Sequence, residues 1–292
     1  MLNLILEPLS FDFMRGALII AVLMGVLCSV VGTYLIVQRM GLLGDVIAHA
    51  VLPGLAIAFF LGIDIFIGAF IAGILSTFVI TWIQSQSRVK VDVAMALVFS
   101  GFLALGIMLI TILKSKLDLH SFLFGDILGV TSSDVWRTLG ITIVVLLLVK
   151  IFYKELLYYT FDPLGAQASG LPVNLIHFGL TAAITLTIIA SMHAVGVVLV
   201  VSLLIGPGIT AYLLVKELHQ MMLLGAVIAV FGSVTGMYIS YYNNVPSGAA
   251  IVLVVTGLFL LALLFSPSQG ILTRPGMRNR SAKILQALKQ QD

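Results

Sequence analysis

The chain has 292 residues, of which 61% are apolar and only 9% charged, with a formal net charge of +3. A soluble domain carries about 25% charged residues, so no water-soluble fold can cover this much apolar surface, and so small a charge argues against nucleic-acid binding. Cys28 is the single cysteine and lies inside an apolar run, which excludes a disulfide framework or a cysteine-built metal site.

The start, MLNLILEPLSFDFMRGAL, places Glu7 and Pro8 early and lacks a basic region followed by a cleavage site, so a removable signal peptide is not expected. Beyond it, apolar runs long enough to cross a hydrocarbon core about 30 Å thick fall near 14–37, 46–61, 64–84, 93–113, 133–153, 175–192, 195–214, 221–241 and 247–266. They are rich in Leu, Ile, Val and Gly without strict alternation. Such runs satisfy their backbone as helices and do not read as barrel strands. The expected fold class is an all-α polytopic membrane protein of eight or nine transmembrane helices, eight if 175–214 contains a short or re-entrant piece. Residues 1–270 form the membrane domain and 271–292 a basic tail.

If the runs alternate, Arg39, Arg88, Lys90, Lys150, Lys154, Lys216 and the tail fall on one side of the membrane, and Lys114, Lys116 and Arg137 on the other. The bias toward one side predicts a cytoplasmic C-terminus, and nine crossings put the N-terminus outside.

The stretch GLLGDVIAHAVLPG, residues 41–54, carries the densest chemistry. Asp45 and His49 are four apart, so on a helix they stand one turn above each other on one face. A carboxylate and an imidazole on adjacent turns make a two-ligand clip for a cation. Pro53 has no N–H and leaves the carbonyl of His49 without its helical donor, as in the interrupted helices that transporters use at ion sites. Two copies of the clip facing across a two-fold axis would give an oxygen and nitrogen donor set suited to manganese, zinc or ferrous iron. An Asp–His pair that only orders the start of a helix is the plainer reading of the same spacing.

Further along, Asp64 and Asp92 stand at segment ends, where capping or solvation is ordinary. The joint from Lys114 to Asp134 holds Asp118, His120 and Asp126, with Ser132, Ser133 and Asp134 able to cap the next helix. His120, His177, His193 and His219 all lie in or near segment ends and read as interfacial. The joint TFDPLGAQASGLP contains a small helix of its own: Asp162 caps, Pro163 takes the first position, and Gly170 with Pro172 ends it. Two turns of helix held in a joint make a rigid knob suited to docking. In the penultimate run Gly232, Gly236 and Ser240 recur every four residues and permit close helix approach, within one chain or between two.

No Gly-Lys dipeptide occurs, so there is no P-loop, and neither HExxH nor GxSxG is present. The polypeptide is therefore expected to be non-enzymatic, with any energy source in another chain.

The runs QRMGLLGDVIAHAVLPGLAIAF (38–59), SFLFGDILGV (121–130), FDPLGAQASGLPVNLIH (161–177), VGVVLVVSLLIGPGITAYL (195–213) and VPSGAAIVL (245–253) together resemble the permease subunit of the manganese/zinc/iron family of ABC importers. The resemblance spans nearly the whole chain in order. It implies that Asp45 and His49 coordinate the transported metal, that the joint Asp162, Pro163, Leu164, Gly165 to Gly170 and Leu171 is the coupling helix, and that the site lies in a bacterial plasma (inner) membrane. It also implies the partners: a second copy of the chain, two copies of a cytoplasmic ATP-binding subunit and an external metal-binding protein. No cofactor is bound permanently; manganese or zinc is cargo. The form HAVLPG, in place of the HASLLG of some zinc-type members, leans toward manganese. Two departures stand out: LLIGPGITA (203–211) replaces a more usual LLIIPAATA, and His193 stands where Lys or Gln is frequent. A secondary transporter driven by an ion gradient is the rival class, suggested by Gly/Pro interruptions near Pro53 and Pro207 and opposed by the scarcity of intramembrane carboxylates.

Overall fold

The structure, a computed structural model, describes residues 7–113, 125, 127–266 and 270–272, without the side chains at 128, 193 and 194. In chain order it consists of α1 (Asp12–Val37), α2 (Leu42–Ala50), α3 (Leu52–Leu61), α4 (Ile65–Gln86), α5 (Val91–Ile112), a 3-10 turn (Ile127–Gly129), α6 (Ser132–Ile151), α7 (Tyr153–Phe161), α8 (Pro163–Ala168), α9 (Val173–Val195), α10 (Val197–Leu214), α11 (Leu218–Asn243) and α12 (Ser247–Phe265).

Among the described residues eight spans are long and apolar enough to cross a membrane, with α2 and α3 together forming one, Leu42–Leu61. Helix α6 continues into α7 through a 71° bend, and counted as one span the pair brings the number to nine. The region 175–214 holds two full helices, of 23 and 18 residues, and no re-entrant piece. They meet at Gly196, whose φ of 81° and ψ of 158° suit only a residue without Cβ. Pro207 sits inside α10 without ending it.

The layering follows from which helices are apolar all round. Buried residues make up 67% of the α1 window and 72% of the Leu42–Leu61 span, against 22% for α5 and for α12. The first two form the interior; the latter turn residues such as Leu97, Leu253 and Phe265 outward, as a lipid-facing surface requires. Small residues set the closest crossings, because packing between membrane helices depends on backbone approach. A Cβ on Gly32 of α1 would overlap the Leu204 carbonyl of α10, and one on Gly236 of α11 would come within 2.7 Å of Ile251 N on α12. The Gly232/Gly236 spacing thus serves α11–α12 packing within one chain.

Two expectations about the joints need correction. The helix after the outer joint is capped by Thr131, whose hydroxyl and backbone share a capping box with Asp134, while Ser132 is already helical; the threonine one residue upstream has both the side-chain oxygen and the extended backbone a cap needs. The inner joint holds two helices, since α7 precedes the knob. It was hidden because YKELLYYTF is amphipathic and short and merges with the apolar run before it. Asp118, His120, Asp126, Lys114, Lys116 and the tail beyond Leu272 lie outside the described residues.

Candidate functional site

Helix α1 ends with Met40 N donating to Leu35 O at 2.8 Å and Arg39 N to Ile36 O at 3.1 Å. This is the pairing of a Schellman terminator, usually closed by glycine. Here Arg39 occupies the left-handed position at φ 59°, a conformation that costs a side-chain-bearing residue roughly 1 kcal/mol. Two residues later the chain turns into α2.

Asp45 lies in the first turn of α2, where the positive end of the helix dipole favours a carboxylate, and His49 one turn on. Their side chains point the same way, with His49 Nε2 3.6 Å from Asp45 Oδ1. That distance is an electrostatic contact, too long for a hydrogen bond. The His49 side chain is 19% exposed and the Asp45 side chain 45%, while Leu43, Ile47, Ala48 and Ala50 are buried. The polar pair therefore lies, with the exposed Leu42, on the face that α2 leaves accessible. The His49 ring stands perpendicular to Phe99 of α5, with ring centroids 5.2 Å apart and an interplanar angle of 89°. Two donors 3.6 Å apart can both reach one ion at metal–ligand distances of about 2.1 Å, with no backbone movement required.

The interruption at Pro53 is milder than a broken helix. Val51 N donates to Ile47 O at 3.2 Å and Leu55 N to Val51 O at 3.0 Å, and Val51 keeps helical angles of φ −76° and ψ −16°. The span loses the bond that Pro53 cannot donate and continues as one rod. Among the described residues no group of three or more His, Cys, Asp or Glu side chains gathers around an ion-sized space, so this part of one chain offers the pair alone.

The knob forms as its residues dictate. Asp162 accepts from Gly165 N at 2.9 Å, Pro163 opens α8, and Leu171 N closes onto Ala166 O at 3.1 Å around Gly170 at φ 84°. A Cβ on Gly165 would overlap the Asp162 carboxylate. Ala166 is buried and anchors the helix, while Leu164 is 78% exposed. An apolar side chain at the tip of a rigid, capped turn is suited to a groove on another protein.

Asp64 does cap, accepting from Phe66 N at 2.8 Å, and it also pairs with Arg137 of α6 at 3.0 Å, whose guanidinium lies over the Phe66 ring at 5.2 Å. His219 pairs with Glu217 at 3.3 Å in an exposed joint, as an interfacial residue should. The side chain of His193 lies outside the described residues. His177 departs from the interfacial reading: Tyr159 Oη lies 2.8 Å from its Nδ1 and Thr81 Oγ1 3.3 Å from its Nε2. Nothing in the spacing of Thr81, Tyr159 and His177 announces this cluster, because three separate helices supply it.

Residues 10–266, covering the whole of this helical architecture, match the ABC 3 transport family. The chain belongs to that family. A relative from Halalkalibacterium halodurans, the manganese transport system membrane protein MntC, is 46% identical over 282 residues, covering 96% of each chain. The chelated iron transport system membrane protein YfeD of Yersinia pestis is 39% identical over 264 residues, covering 90% of this chain and 89% of its own. Among solved structures, PsaBC from Streptococcus pneumoniae in complex with Fab aligns with a TM-score of 0.83 at 42% identity, over 91% of this chain and 96% of that one. An ABC 3 permease is a multi-pass membrane protein of transport, and the helical fold expected from sequence is the one observed.

Proposed function

We propose that the chain is the membrane-spanning subunit of an ATP-driven importer of divalent metal ions, with manganese as its cargo. The Asp45–His49 pair carries this reading: a carboxylate oxygen and an imidazole nitrogen 3.6 Å apart, both accessible, on a span whose window is 72% buried. Membership of a transport family and relatives named for manganese support the class and the cargo. The name of the iron-system relative keeps iron as the second cargo to test, and zinc competes on ligand chemistry.

In this reading Asp45 supplies negative charge and His49, as neutral imidazole, a nitrogen donor. A second copy of the chain presents the same pair across a two-fold axis, so that four protein donors surround the ion. An external metal-binding protein delivers it. Two ATP-binding subunits grip the α8 knobs through Asp162–Leu171; their closure on ATP rocks the helices, exposing the site to each side in turn. The C-terminus and the knobs lie on the cytoplasmic side.

Uptake by cells or proteoliposomes carrying the assembled complex tests the site. Asp45→Ala and His49→Ala each abolish metal uptake while the complex still assembles; full uptake by the double variant refutes the site. For the cargo, a deletion strain starved of metals is rescued by manganese alone, whereas rescue by zinc alone or iron alone reassigns it.

A further inference from the structure

The helix α7 is attached to the rest of the fold in an unusual way. On one side it borders a cavity of about 300 Å³ lined by Leu148, Val149 and Phe152 of α6, Leu156 of α7 and Leu180 of α9, and it joins α6 through the 71° bend. On the other side its last turn is held by side-chain hydrogen bonds. Thr160 Oγ1 accepts from Gln38 Nε2 at 3.3 Å, and Tyr159 Oη meets His177 Nδ1 at 2.8 Å.

The protons in this cluster can be assigned. Thr81 Oγ1 donates its only proton to Thr77 O at 3.0 Å. Across the 3.3 Å contact it must then accept, so His177 Nε2 carries the hydrogen. The neutral ring leaves Nδ1 as acceptor, and the Tyr159 hydroxyl donates to it. The result is a directional chain, Tyr159 to His177 to Thr81 to the Thr77 carbonyl, crossing from α7 through α9 to α4.

Each end of this attachment leads toward the metal pair. Helix α4 crosses α3 where Gly68 faces Gly54, so tightly that a Cβ on either would overlap the other's carbonyl; α3 continues the rod that carries His49. Gln38 is the residue after α1 and precedes the left-handed Arg39, the bend from which α2 and Asp45 follow. At its far end α7 runs into Asp162, the cap of the knob.

We propose that Tyr159, His177 and Thr81, together with Thr160 and Gln38, are positioning residues that make α7 a lever, transmitting displacement of the α8 knob to the span holding Asp45 and His49. The proposal rests on the coupling role of the knob given above. A lever needs a firm hold on the part it moves and room to swing; the hydrogen bonds supply the first and the bend with its cavity the second.

The test uses the complete complex in proteoliposomes, measuring manganese taken up per ATP hydrolysed. Tyr159→Phe and His177→Ala lower that ratio about fivefold or more, the lower end of ordinary coupling energies, while ATP hydrolysis stays within about twofold of the parent. Thr81→Ser keeps the accepting hydroxyl and retains the ratio. An unchanged ratio in Tyr159→Phe overturns the proposal, and so does an equal fall in uptake and hydrolysis, which is what simple loss of folded complex gives. Tyr159→Phe removes one oxygen and leaves the ring packed, so it decides the matter even if His177→Ala fails to assemble. Asp162→Arg, measured alongside, separates the two layers: if it uncouples and Tyr159→Phe does not, the lever alone falls; if it leaves the ratio intact, the role of the knob falls.

Discussion

The contact between Gly54 and Gly68 offers a quantitative test of what holds the span bearing Asp45 and His49 in place. A Cβ on Gly54 would overlap the Gly68 carbonyl and lie 2.7 Å from the Ala72 Cβ. Backbone cannot rotate away as a side chain can, so Gly54→Ala must part α3 from α4. Overpacking of this kind costs about 1–3 kcal/mol. At about 2–4 °C per kcal/mol for a chain of this size, the melting temperature in detergent falls by about 2–12 °C. Gly101 of α5 is the control, because a Cβ there meets nothing within 4 Å; Gly101→Ala leaves melting unchanged or raises it slightly through helix propensity. Thermal unfolding followed by tryptophan fluorescence reads both variants. Were Gly54→Ala to melt at or above Gly101→Ala, the backbone crossing would not be what fixes this pair of helices. Since α3 extends the rod bearing His49, metal uptake by Gly54→Ala falls together with its stability.

Thr131→Ala removes the hydroxyl that caps α6 and one half of its capping box, costing about 1 kcal/mol; thermal melting shows the loss, while Ser132→Ala, one residue on, shows little. Cys28 has no exposed surface, so a maleimide reagent labels it only after unfolding; rapid labelling of the folded protein would mean that α1 is not interior. Arg39→Gly relieves the left-handed strain at the end of α1 and raises melting by up to about 1 kcal/mol equivalent; a lowered melting point would show that the guanidinium does more for stability than its backbone costs.

Much of the fold could be read from the chain alone because membrane helices are specified locally. A run of apolar residues closes its own hydrogen bonds in lipid and needs no distant partner to do so. The knob was legible for the same reason: a cap, a proline and a terminal glycine all act within ten residues, and Asp162, Pro163 and Gly170 each take the place their chemistry predicts. The i, i+4 alignment of Asp45 and His49 is likewise a local property of one helix.

What pattern alone did not reveal depends on encounters between distant segments. Helix α7 is too short and too mixed in polarity to announce itself, and its identity comes from the bend against α6 and its bonds to α1 and α9. His177 looked like an interfacial residue because a lone histidine near a helix end carries no record of Tyr159 and Thr81, which reach it from 18 and 96 residues away.

Sequence by itself indicated a polytopic helical membrane protein, placed its spans to within a few residues, and put a carboxylate and an imidazole on adjacent turns of one of them. Only the tertiary structure decided that Gly236 packs within its own chain, that Leu42–Leu61 remains one span across Pro53, and that a polar chain ties α7, the helix before the knob, to α4. The division has one physical cause: helical hydrogen bonds join residues four apart, whereas helix crossings and side-chain bridges join residues whose separation along the chain says nothing of their distance in space.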